Sequence, residues 1–159
     1  MMKSVALAVA ALGLALAAPA AAQNVEKVTN TPPGRILAAA KVKPGATTIY
    51  LSGQLASPVD PAKPTEFGDT KTQTISVLKK IKALLEAHGM TMKDIVRMDA
   101  YLTAAPGMDG KMDFAGFNAG FAEFFGTAEN PTTTTRTTMQ VAALAGPNFT
   151  VELTVIAAK

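Results

Sequence analysis

At 159 residues the chain has the size of one domain, and 48% hydrophobic against 17% charged residues exclude an intrinsically disordered protein. The formal net charge of +3 contains no basic cluster denser than Lys79-Lys80-Ile81-Lys82, which argues against a nucleic-acid-binding surface. With no cysteine and one histidine, disulfides and a cysteine-linked lipid anchor are excluded, and a zinc site would lack its usual ligands.

Met1 to Lys3 is a short basic segment, Val5 to Ala18 is an apolar run, and Ala20-Ala21-Ala22 offers small residues just before Gln23. This pattern predicts a secretory signal peptide over residues 1–22. A membrane anchor needs roughly 20 apolar residues, whereas this run is shorter and ends at Pro19. The expectation is therefore a cleaved product, exported to the periplasm of a Gram-negative cell and free of the membrane. Residues 23–34 are polar, carry Pro32-Pro33-Gly34 and are expected as a surface arm, with residues 35–159 as the folded domain.

Arg35 to Val42 suits a strand, although its alanines would equally extend a helix. Thr47 to Ser52 favours a strand more strongly, and Pro44-Gly45 marks a turn between the two. Ala56 to Gly68 holds Pro58, Pro61 and Pro64 and reads as a long loop of the kind that often carries function. Thr70-Lys71-Thr72-Gln73 reads as a capping box. Thr74, Val77, Leu78, Ile81, Leu84, Leu85 and His88 then follow at helical spacing until Gly89 stops the helix. His88 lies at the negative end of the helix dipole, which is a structural role.

Ile95 to Leu102 alternates, with Val96, Met98, Ala100 and Leu102 on one face and Arg97, Asp99 and Tyr101 on the other, as in a half-exposed strand. After a loop at Pro106 to Gly110, Phe114, Phe117, Phe121 and Phe124 form the core stripe of a second helix ending at Gly126. Asn118 lies about 100° round that helix from Phe117, at the edge of the stripe. Thr137 to Leu144 and Thr150 to Ala157 are rich in β-branched residues, and Ala145-Gly146-Pro147-Asn148 between them predicts a β-hairpin.

Two charges stand out in that last stretch. Val151, Leu153 and Val155 point one way along their strand, so Glu152 points the other, and it is the strand's only charge. Arg136 is likewise alone, after a run of threonines. Each is costly to desolvate unpaired, so each faces water, pairs with the other or meets a ligand.

The element order ββαβαββ predicts an α+β, two-layer sandwich: a mixed sheet with two helices on one face. The other face carries threonine and apolar residues, which oligomerisation would cover.

These residues also carry a resemblance. Thr135 to Leu144 followed by Val151-Glu152-Leu153 resembles the C-terminal signature of the RidA (YjgF/UK114) family of reactive-intermediate deaminases. Leu51-Ser52-Gly53-Gln54, Gln73-Thr74, Tyr101-Leu102, Phe117-Asn118-Ala119 and Phe124-Phe125 match further family motifs in order, from about Ile49 to the C-terminus. The resemblance implies a RidA-like (chorismate mutase-like) fold, assembled as a homotrimer with a site in each cleft between subunits. It also implies hydrolytic deamination of small 2-imino or enamine acids to 2-keto acids and ammonia, without metal or cofactor.

By the same resemblance, Arg136 grips the substrate carboxylate and Glu152 orients or activates water. Asn118 makes a polar contact, Gly53 borders the pocket with its backbone, and Thr138 stands where the family often has cysteine. The family's usual first-strand tyrosine has no counterpart in Arg35 to Val42. Two other readings remain open: a non-catalytic binding module for small carboxylates, and a structural trimer in which Arg136 and Glu152 form only an interface ion pair.

Overall fold

The computed structural model describes residues 24–159, so the expected leader lies outside the described residues. In chain order the elements are β1 (Val25–Thr29), β2 (Leu37–Val42), β3 (Thr48–Leu55), α1 (Thr70–Ala87), β4 (Ile95–Leu102), α2 (Phe114–Phe121), β5 (Thr135–Gln140) and β6 (Val151–Ala158), with a single 3-10 turn at Met92–Asp94. The main sheet runs β3-β6-β4-β5. Within it β6 is antiparallel to both β3 and β4, while β4 and β5 are parallel. This is the expected mixed sheet with two helices, and both helices pack on one face of it.

The expected hairpin of the last two strands does not form. A helix between two strands brings the second back parallel to the first, and α2 does this for β4 and β5. The stretch 141–150 then crosses over to place β6 between β3 and β4. β6 suits a central position because Val151, Leu153, Val155, Ala157 and Ala158 are all buried. The turn residues serve the crossover: Gln73 Nε2 donates to the Asn148 carbonyl at 3.0 Å, and Gln73 Oε1 accepts from Thr150 N at 2.9 Å.

That work by Gln73 also corrects the start of α1. The cap is Asp69, whose carboxylate accepts from Thr72 N at 2.8 Å, and Gln73 is buried in the loop joint and not turned back as part of a capping box. The apolar stripe of α1 is otherwise as expected, with Val77, Leu78, Ile81 and Leu85 fully buried. His88 forms the C-cap. Where α1 meets α2, a Cβ on Gly120 would lie 2.7 Å from Thr74 Cβ and 3.0 Å from the Lys71 carbonyl, so the close helix approach needs glycine there.

α2 ends at Phe121, earlier than its phenylalanine spacing suggests. The chain then turns and inserts Phe125 into the core, while Phe124 is only partly buried and Phe114 is 45% exposed. In β4 a register irregularity between Ile95 and Arg97 turns Val96 away from the helices. Val96 thereby joins Val25 and Ala158 in a small second core on the opposite face.

The expected surface arm is partly a strand. β1 pairs antiparallel with β2, and this hairpin packs through Val25 and Ala40 against Val96, Ile156 and Ala158. Lys27 pins it there: its Nζ donates to the Lys93 carbonyl at 2.7 Å, to Thr132 Oγ1 at 2.9 Å and to the Thr133 carbonyl at 2.9 Å.

Candidate functional site

Arg136 lies opposite Met98 in the sheet register, and Met98 lies opposite the buried Val155. Its side chain therefore rises on the helix face, against α2. The guanidinium carbon is 4.5 Å from the centroid of the Phe121 ring, 4.9 Å from that of Phe117 and 6.0 Å from that of Phe114. Cation–π attraction offsets part of the cost of drying the charge. Nη2 donates to Asn118 Oδ1 at 2.8 Å, which sets the guanidinium plane. Burial, with a smaller contribution from the like charge of Arg35, lowers the Arg136 pKa to about 10, so it remains a cation at neutral pH.

Thr138, two residues on, shares that strand face. Its Oγ1 and Nη1 of Arg136 are both buried without a hydrogen-bond partner. Unsatisfied buried polar atoms are costly, and an oxygen-rich ligand between them would remove the cost. The structure thus brings Arg136, Asn118 and Thr138 together.

Gly53 and Glu152 form a separate pair. The β3–β6 register slips by one residue between Leu51 and Gln54, which makes a bulge at Ser52-Gly53. Glu152 Oε1 lies 2.0 Å from where a Cβ on Gly53 would stand, so the carboxylate occupies space that only glycine leaves free. Glu152 sits opposite Tyr101 and Leu55 and points away from the helices, between the buried Val151 and Leu153.

Within one chain the two groups do not meet. β4 lies between β5 and β6, which alone separates Arg136 from Glu152 by about 10 Å, and their side chains leave opposite faces of the sheet. The expected hairpin would place them on neighbouring strands.

Sequence reasoning missed Arg35, which lines a cleft of about 210 Å³ with Phe121, Phe125 and Pro131, beside the ring that carries Arg136. It also read the α2 phenylalanines as core alone, whereas Phe117 and Phe121 additionally form the platform for Arg136. The proline-bearing loop before α1 borders a different cleft of about 650 Å³, with Phe67, Asp69, Pro106, Asn148 and Thr150 among its lining. Among the described residues no group of three or more histidine, cysteine, aspartate or glutamate side chains could hold a metal ion, and no helix is long and apolar enough to cross a membrane.

Fold and site together define a two-layer α+β protein with an arginine held under an aromatic helix face and a carboxylate seated in a glycine bulge on the other side of the sheet. The profile of the endoribonuclease L-PSP family matches residues 37–159, and the chain belongs to this family, the RidA/YjgF family. A RutC family protein of Pyrococcus horikoshii is 39% identical over 83 residues, 51% of this chain, and the match spans 59% of that relative's length. The 2-iminobutanoate/2-iminopropanoate deaminase of Salmonella typhimurium is 33% identical over 96 residues, 60% of this chain and 68% of its own. A Rid family protein of Yersinia pestis shares the fold, with a TM-score of 0.67 at 22% identity over 86% of this chain and all of that one.

Proposed function

We propose that the protein hydrolyses small 2-imino acids, or their enamine tautomers, to 2-keto acids and ammonia, at sites completed between copies of the chain in a homotrimer. The observation that carries this reading is the pair of buried, unpartnered polar atoms on β5, Arg136 Nη1 and Thr138 Oγ1. A carboxylate accepts two parallel hydrogen bonds from a guanidinium, and Arg136 is already oriented by Asn118 for such a grip. The named activity of the Salmonella typhimurium relative lies in the same chemical class.

In this mechanism Arg136 holds the substrate carboxylate and the Thr138 hydroxyl donates to its edge. Glu152 of a neighbouring copy takes a proton from water as the oxygen attacks the imine carbon. That proton passes to the nitrogen to give a carbinolamine. Glu152 then takes the hydroxyl proton and delivers it to the nitrogen as the carbonyl forms and the carbon–nitrogen bond breaks, releasing the keto acid and ammonia. An imine hydrolyses readily once positioned, so a clamp and one base suffice. In the same proposal residues 1–22 are removed during export to the periplasm. N-terminal sequencing of the native protein beginning at Gln23 supports that step, and an intact Met1 on a cytoplasmic product rejects it.

The test generates the imine in situ with an amino-acid oxidase and follows its decay. Wild-type protein speeds the decay. Arg136→Lys keeps the charge but loses the planar two-point grip, so it falls nearly as far as Arg136→Ala. Glu152→Gln loses about 10²-fold to 10⁴-fold in rate while still binding a keto acid. Wild-type protein that binds 2-keto acids and leaves the decay unchanged is a binding module and not a deaminase.

A further inference from the structure

We propose that the substrate carries a second anionic group, received by Arg35, so that the site selects short 2-imino dicarboxylates over monocarboxylates; this rests on the carboxylate-gripping reading of Arg136. Arg35 stands just before β2, where its carbonyl accepts from Thr133 Oγ1 at 2.6 Å. Its exposed side chain borders the 210 Å³ cleft whose wall includes Phe121. The Arg136 guanidinium lies 4.5 Å from the centroid of that same ring. Arg35 and the Arg136 guanidinium therefore border the same aromatic side chain.

Neither is neutralised. Among the described residues, the carboxylate ion pairs are made by Lys41, Lys63, Lys71, Lys82 and Arg97, and none by Arg35 or Arg136. Two like charges held together without a counter-ion destabilise each other, and the effect is registered at Arg136, whose charged form is disfavoured by Arg35 as well as by burial. A monocarboxylate offsets one of the two. A dicarboxylate offsets both, its far group meeting the exposed arginine at the cleft that Phe121 walls. The nitrogen-bearing carbon stays next to the carboxylate on Arg136, so the chemistry is unchanged and only the far end of the substrate is read.

The experiment uses the intact protein and two stable keto acids as probes, 2-oxoglutarate and 2-oxobutanoate, with affinities from calorimetry. Wild-type protein binds 2-oxoglutarate at least about tenfold more tightly, the scale of one further charge-assisted contact. In Arg35→Gln the ratio of the two affinities falls towards one, and in Arg35→Lys part of the preference returns because the charge returns. Added salt shrinks the preference, since Arg35 is exposed. Equal affinities in the wild type, or a preference that survives Arg35→Gln, overturn this inference and leave the Arg136 clamp standing. Failure to bind either probe overturns the clamp and this inference together.

Discussion

An alanine at Gly53 would put its Cβ 2.0 Å from Glu152 Oε1, so one of the two must move. The atom in the way ends a flexible side chain, and the carboxylate gives before the backbone does. Gly53→Ala is therefore expected to shift the melting temperature by only a few degrees, the scale of about 1 kcal/mol, while slowing imine decay as severely as Glu152→Gln. Equal thermal midpoints with undiminished activity would show that the position of the Glu152 carboxylate is irrelevant. Part of the site is legible in the sequence. Arg136 and Glu152 announced themselves as lone charges in stretches of threonine and apolar residues. Arg35 did not, because an arginine after Pro-Pro-Gly in a polar segment is ordinary, and only the folded chain sets it beside Phe121. The spacing of Phe117 and Phe121 marks them as buried, as they are, but spacing alone does not reveal what rests on a ring's face.

Elements with a clean period were readable and those whose partners are distant were not. The stripe of α1 and the alternation of β4 each follow from local pattern, apart from Val96, which a register irregularity turns over. β1 gives little sequence signal because three of its five residues are polar or charged, and its stability comes from docking. The supposed hairpin failed because a turn-rich stretch marks a change of direction without saying which strand is met next. The docked hairpin of β1 and β2 offers a test through Lys27. Burial lowers its pKa from 10.5 to about 8, with Asp94 opposing the shift. Between those two pH values the unfolded chain holds the proton more tightly than the folded one, so this group's contribution to stability is least favourable below pH 8 and improves as pH rises towards 10.5. Urea midpoints taken at about pH 7.5 and 9.5 should therefore show wild type gaining on Lys27→Met with rising pH. A gap that narrows in the opposite sense would mean that the three accepting oxygens hold the ammonium more firmly than burial weakens it.

The opposed placement of Arg136 and Glu152 makes the proposed site a shared property of two copies. Arg136→Ala and Glu152→Gln are each expected to be inactive alone. If they are unfolded together and refolded as a mixture, a site formed from the intact arginine of one copy and the intact glutamate of the next is complete. Random assembly at equal amounts makes about a quarter of the interfaces of this kind, so roughly that share of wild-type activity should return in the imine-decay assay. No recovery from a mixture shown to co-assemble would place both groups in one copy after rearrangement and end the shared-site proposal. The bulge at Ser52-Gly53 has one more consequence, for solubility. β3 is an outer strand of the main sheet, and a straight outer strand offers a regular row of unpaired amides and carbonyls along which another molecule could add without limit. The extra residue that seats Glu152 also breaks the spacing of that row midway. The same kink that admits a carboxylate thus denies fibril growth a continuous template, and a substitution that straightened β3 would be expected to show its cost in aggregation as well as in catalysis.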